Sequence, residues 1–168
     1  IVGSAIPDFT GGITNSFRYK DLDFSFLFNF VYGNDVMLDE LRFMENTGAP
    51  FNISTRLLDF WTPQNTDGVV PSPESSTFFL NGQRSTNQLM DGSFLRLRNI
   101  TLGYTLKGDA VNTKAFSSIR AYVMGQNLLT ITNPDFRGQD PEVNGGGVAE
   151  NLDQGESFFT PPQARTIT

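Results

Sequence analysis

Leu22-Asp23-Phe24-Ser25-Phe26-Leu27-Phe28-Asn29-Phe30-Val31-Tyr32 carries a large apolar side chain at every second position. Leu22, Phe24, Phe26, Phe28, Phe30 and Tyr32 alternate with Asp23, Ser25, Leu27, Asn29 and Val31. A period of two belongs to a β-strand with two unlike faces. One face is an almost unbroken aromatic stripe and the other is mixed and partly polar. A small soluble sandwich has little with which to cover such a stripe. In a membrane β-barrel the stripe meets lipid and the polar residues meet the lumen, and about 9–11 tilted residues cross the bilayer. This segment has that length. The expectation is that Phe24, Phe26, Phe28 and Phe30 face lipid, with Ser25 and Asn29 facing inward.

The alternation recurs along the chain. Residues 12–19 form a first strand, and Lys20-Asp21 turns it into the aromatic strand as a hairpin. Phe94-Leu95-Arg96-Leu97-Arg98 leads into Ile100-Thr101-Leu102-Gly103-Tyr104-Thr105-Leu106 as a third strand. Residues 119–129 read as a fourth, and residues 164–168 begin a fifth. Segments 34–92 and 132–163 show no clean period, although 35–45 could form a helical turn or two. Asn65-Thr66-Asp67-Gly68 and Pro71-Ser72-Pro73 carry turn chemistry. Connections are therefore short after strands one and three and long after two and four. Outer-membrane barrels have short periplasmic turns and long extracellular loops. The fold class expected is all-β: antiparallel strands of a large transmembrane barrel, with residues 1–168 as its C-terminal part. Five strands are too few to close such a barrel, which takes roughly eight or more.

Composition agrees. The 168 residues include 16 Phe, 4 Tyr, 16 Gly and one Trp, and charged residues are only 18%. No apolar run reaches the about 18 residues of a transmembrane helix, which a barrel does not need. A net charge of −6 without a basic stripe argues against nucleic acid as a partner. The chain has no Cys and no His, which removes disulfides, thiolate metal sites and the commonest general base. Ile1-Val2-Gly3-Ser4 lacks the basic start and apolar core of an export signal, so the chain reads as mature or as a piece of something longer.

Several blocks together resemble the C-terminal region of SusC/RagA-type TonB-dependent outer-membrane transporters. They are Pro7-Asp8-Phe9-Thr10-Gly11-Gly12, Asn15-Ser16-Phe17-Arg18-Tyr19-Lys20 and Trp61-Thr62-Pro63-Gln64-Asn65-Thr66-Asp67. The strongest is Asp91-Gly92-Ser93-Phe94-Leu95-Arg96-Leu97-Arg98-Asn99-Ile100-Thr101-Leu102-Gly103-Tyr104, followed by Gly125-Gln126-Asn127-Leu128-Leu129-Thr130 and Gly138-Gln139-Asp140-Pro141-Glu142. The resemblance implies a barrel of about 22 strands in the cell outer membrane, with an N-terminal plug and a TonB-binding segment outside this stretch. It implies import of oligosaccharide or peptide beneath a SusD-like surface lipoprotein. With no His and no second catalytic motif, no enzyme activity and no cofactor are expected.

Other motifs carry two readings. Trp61 could stack on the apolar face of a sugar, or anchor the packing of its own loop. Phe60 and Trp61 are candidate partner or ligand contacts, within a wider set of loop aromatics: Phe43, Phe51, Phe78 and Phe79. Asp140 and Glu142 resemble a catalytic carboxylate pair, but Gly-Gln-Asp-Pro-Glu is more simply a turn with Asp140 capping backbone donors. Asp135, Asp140, Glu142 and Asp153 could offer oxygen ligands to Ca²⁺ but lack EF-hand spacing. Arg96 and Arg98 alternate onto one face and could line the lumen. Gly145-Gly146-Gly147 lacks the helix and Lys of a phosphate cradle. A soluble β-rich carbohydrate-binding module remains the alternative, and a TonB-dependent siderophore receptor a third reading. The fate of the stripe from Leu22 to Tyr32 separates lipid exposure from a sandwich core.

Overall fold

The structure, a computed structural model, describes residues 2–46, 52–72, 83–107, 116–142 and 154–168. In chain order its strands are β1 (Phe9–Tyr19), β2 (Leu22–Tyr32), β3 (Asp35–Leu38), β4 (Leu89–Asp91), β5 (Phe94–Lys107), β6 (Ser118–Thr132), β7 (Glu156–Ser157) and β8 (Thr166–Ile167). A single helical turn, α1 (Leu41–Met44), follows β3. The chain divides into two compact units. One comprises Pro7–Gly33, Gly92–Pro134 and Pro162–Thr168; the other comprises Ile1–Ile6, Asn34–Asp91 and Asp135–Pro161.

The first unit is one antiparallel sheet in the order β1-β2-β5-β6-β8. Its strands follow the alternation of the sequence, because β-branched and aromatic side chains suit a pleated surface. The Lys20-Asp21 hairpin is present, with Tyr19 opposite Leu22 and Lys20 in the left-handed region at φ 55°. The fifth strand pairs with the fourth as expected: Ile167 lies opposite Gly125, and Thr168 and Met124 exchange backbone hydrogen bonds. Its regular part is Thr166–Ile167 only.

Register sorts the residues of this sheet onto two faces. One carries Tyr19, Phe17 and Ile13 of β1, and Phe24, Phe26, Phe28 and Phe30 of β2. It continues through Leu95, Leu97, Ile100 and Leu102 of β5, and Val123, Leu129 and Ile131 of β6. A β-bulge between Leu97 and Asn99 keeps β5 in step. Without the extra residue, the odd-numbered Leu95 and Leu97 and the even-numbered Ile100 and Leu102 would face opposite ways.

The second unit corrects a sequence expectation. The described residues of segments 34–92 and 132–163 supply a three-stranded sheet, β4-β3-β7, with β3 antiparallel to β4 and parallel to β7. Residues 35–45 hold a strand and one helical turn rather than helix alone. Val36, Leu38 and Leu41 form the core, packed by Met90 and Phe136. Ser54 and Ser85 cap short 3-10 turns at Thr55–Leu58 and Thr86–Gln88, the latter with a full capping box from Gln88. Strands of two to four residues give too few alternations to be read from sequence.

Candidate functional site

The two faces of the five-stranded sheet differ in chemistry. On the apolar face, Phe17 is 55% exposed, Val123 59% and Tyr19 71%, although all are large apolar or aromatic groups. The rings of β2 meet along the strand, Phe24 and Phe26 tilted with centroids 5.9 Å apart and Phe26 and Phe28 edge-on at 5.6 Å. Aromatic rows close the face at both ends. Tyr19, Leu22 and Tyr104 lie in register at the hairpin end, and Phe9 stacks on Tyr32 at 5.0 Å at the other. Between these rows a strand of this length advances about 34 Å at about 3.4 Å per residue. Tilted by about 40°, that is roughly 26 Å of height, against an apolar band of about 25 Å in outer-membrane barrels.

The opposite face is mixed, with Leu27, Val31, Phe94 and Met124 among polar groups. Ser16, Ser25, Asn29, Thr101 and Gln126 share it with Arg18, Asp23, Arg96 and Arg120. Arg120 Nη2 donates to Asp23 Oδ2 at 2.6 Å, and its Nε to Oδ1 at 3.3 Å. The Arg120 guanidinium also lies 5.3 Å from the Tyr122 ring centroid. At the hairpin end Lys107 pairs with Asp21 at 2.8 Å. Arg96 is only 1% exposed, with its guanidinium 5.3 Å from the Phe94 ring centroid. Arg96 lies opposite Asn29 and Thr130, and the β5 register skips residue 98 at the bulge.

The second unit is stitched by charge. Glu45 Oε1 accepts from Arg56 at 3.0 Å and Arg137 at 2.6 Å, while its Oε2 accepts from Asn87 at 2.9 Å. Arg137 also donates to the Asn87 carbonyl. Burial of the Glu45 carboxyl outweighs the attraction of Arg56 and the hydrogen bond from Asn87, and holds its pKa above the ordinary glutamate value. Asp39 accepts from Arg42 and Arg84, and Arg84 reaches on to Glu156 of β7. These contacts join segments distant in the chain, which no local sequence signal could reveal.

Trp61 sits on a tight double-backed strap. Trp61 donates its backbone N–H to Val70, Thr62 and Asn65 bond one another's backbones in both directions, and Val69 bonds Asp59. Gly68 permits the approach, because a Cβ there would fall 2.4 Å from the Trp61 nitrogen. The strap holds Trp61 44% exposed at the wall of a cleft of about 500 Å³. Phe60 bridges to Val70 and is half-buried, so the strap turns these neighbours to different environments.

The other candidates resolve as follows. Asp140 Oδ1 accepts from the Glu142 N–H at 2.9 Å, which is the capping turn. Among the described residues no group of three or more acids could hold a metal ion. Asp153, Phe51, Phe78, Phe79 and residues 145–147 lie outside the described residues. Phe43 is joined edge-on by Phe158 at 5.6 Å, and Phe158 by Phe159 at 5.2 Å. Both partners are about half exposed, and Phe159 takes a left-handed backbone at φ 51°. Sequence reasoning missed this pair, and the adjacent Phe-Phe in a turn-rich segment was the signal available.

The chain is similar over its whole length to TonB-dependent receptor P3 of Formosa agariphila, at 33% identity. It is 33% identical over 88% of its length to TonB-dependent receptor SusC of Bacteroides thetaiotaomicron. The RagAB peptide transporter structure superposes on 84% of the chain with a TM-score of 0.70 and 32% identity. The chain belongs to the SusC/RagA-type TonB-dependent receptors. No protein-family model matches it. It spans 16% of the length of receptor P3, 14% of SusC and 15% of the RagAB chain. In this family context the sheet is the antiparallel fold of a stretch of the RagA-type barrel.

Proposed function

We propose that this chain is the C-terminal part of the barrel of an outer-membrane TonB-dependent importer. The observation that carries the reading is the apolar face of the five-stranded sheet, continuous across β1, β2, β5 and β6 and closed by aromatic rows. Apolar surface of this extent on a soluble monomer is uncommon, whereas lipid requires it. Phe24, Phe26, Phe28 and Phe30 then face lipid, and Ser25, Asn29 and the Asp23–Arg120 pair face the lumen. The Lys20-Asp21 turn is periplasmic, and segments 34–92 and 132–163 are extracellular. A soluble carbohydrate-binding module would need a layer over the apolar face, and the exposure of Phe17, Tyr19 and Val123 speaks against one.

The whole protein imports oligosaccharides or peptides together with a SusD-like surface lipoprotein, driven by TonB through parts outside this chain. Similarity to SusC and RagA supports this reading. For the lipoprotein contact, the half-exposed pair Phe158 and Phe159, packed on Phe43, joins Phe60 and Trp61 as candidate anchors, since aromatics dominate interface cores.

The test is site-directed spin labelling of the full-length protein in outer-membrane lipid. Cysteine at Phe24, Phe26, Phe28 or Phe30 should give labels quenched by oxygen dissolved in lipid. Cysteine at Ser25 or Asn29 should give labels quenched by water-soluble nickel chelate. The reverse pattern, or uniform exclusion of both quenchers from the phenylalanine positions, would overturn the reading.

A further inference from the structure

β6 is irregular at one level of the five-stranded sheet. Between the pair Leu97–Leu129 and the pair Asn99–Gln126, β5 has one residue and β6 has two, Asn127 and Leu128. Asn127 takes a left-handed backbone at φ 52°, a conformation that Asn adopts more readily than most side chains and that bulges use. The Leu128 side chain fills the space above Gly125, where a Cβ would fall 2.5 Å from Leu128 Cδ1 and 3.2 Å from Ile100 Cγ2. Gly125 is buried as a result.

The regular pairing of β8 with β6 ends at this bulge. Thr168 and Met124 exchange backbone hydrogen bonds, Ile167 lies opposite Gly125, and Thr166 lies opposite Gln126. At Asn127 a side chain takes over from the ladder. Its Nδ2 donates to the Ala164 carbonyl at 3.1 Å.

The apolar pattern of β8 does not select this register. Ile167 stands opposite a glycine. Shifted by two residues, β8 would keep both of its faces and put Ile167 opposite Val123, a β-branched apolar pair that sheets favour. The bulge opposes that shift. A slip of two residues carries the Ala164 carbonyl about 7 Å along the strand, out of reach of the Asn127 amide.

We propose that Asn127 is the register lock of β8. Its left-handed backbone ends the ladder at Gln126, and its side-chain amide holds the carbonyl of Ala164, so β8 joins β6 in one alignment. The proposal goes beyond the import reading and rests on it for its consequence. In a barrel the stagger between neighbouring strands is linked to tilt and diameter, so a strand that pairs with the other edge of β8 inherits this alignment.

The test is disulfide trapping in the full-length protein in outer-membrane lipid, on a background without other cysteines. Met124→Cys with Thr168→Cys reports the observed register. Met124→Cys with Thr166→Cys, and Gln126→Cys with Thr168→Cys, report slips of two residues in either direction. The first pair should cross-link in preference to the other two. Asn127→Gly keeps a residue at ease with positive φ and removes the amide, and Asn127→Asp replaces the donor with an acceptor. Each should lower the yield of the observed register relative to the slipped ones by about fivefold, the ratio that one hydrogen bond of ordinary strength sustains. If Asn127→Asp fails to insert, Asn127→Gly carries the comparison. An unchanged ratio in Asn127→Gly would overturn the lock. Loss of all three cross-links would overturn it as well, since Asn127 would then hold β8 in place without choosing its register. The lipid-exposure test separates this from the import reading. A shifted cross-link ratio, with labels at Phe24 to Phe30 shielded from oxygen, would leave the lock standing and remove the barrel.

Discussion

Arg120 and Asp23 meet across Gly103, each on a strand flanking the one that carries the glycine. A Cβ at Gly103 would fall 2.6 Å from both the Arg120 Nη2 and the Asp23 Oδ2. The two-point contact therefore depends on the absence of a side chain between them. It ties β2, β5 and β6 together near the hairpin end.

Gly103→Val should break that contact and strain the ladder, costing roughly 1–3 kcal/mol as overpacking does. The thermal midpoint of the full-length protein in detergent should fall, and Gly103→Ser should fall less. An unchanged midpoint for Gly103→Val would show that the sheet absorbs the side chain freely.

Phe28→Arg should destabilise the membrane-inserted protein by roughly 2–4 kcal/mol if the ring sits near the bilayer midplane. Asn29→Arg, one residue along on the polar face, should cost much less. Urea-dependent unfolding from lipid vesicles measures both. Equal penalties at the two positions would remove the distinction between the faces.

Leu38 is fully buried in the core of the second unit, beside Val36 and Leu41. Leu38→Ala should destabilise that unit by about 2–5 kcal/mol. Hydrogen exchange should accelerate at Val36, Leu38 and Met90, while the amides of β2 keep their protection. Loss of protection in β2 as well would mean the units unfold together.

Glu45 carries a pH prediction. Its folded pKa lies above the ordinary value of 4.5 because burial disfavours the charge. Its contribution to stability is therefore fully present below about pH 4.5 and is lost as pH rises through the folded value. Glu45→Gln should remove that dependence and flatten the pH profile of exchange at β3. A wild-type profile in which protection rises with pH across that window, relative to Glu45→Gln, would contradict the sign.

The amino-acid sequence determined the strands of the five-stranded sheet and which residues share its apolar face. Period-two alternation over eleven residues or more is a local property, so Leu22–Tyr32 was legible to its ends. The Lys20-Asp21 turn followed from a short connection, and the pairing of the last strand with β6 from the antiparallel order of neighbouring strands. The turn at Asp140 was legible as well, because an Asp cap acts on the chain beside it. Tertiary structure alone decided the rest. The bulge after Leu97 shows only as a change of parity between Leu97 and Ile100, and the register skips Arg98 there. The packing of Met90 and Phe136 on Val36, Leu38 and Leu41, and the meeting of Glu45 with Arg137, join segments separated by long stretches of chain. Trp61 was visible as a residue type, but the strap that carries it closes only because Gly68 has no side chain to meet Phe60 and the Trp61 nitrogen. Local periodicity encodes a strand. A site assembled from distant loops is encoded only in the complementarity of surfaces that meet after folding.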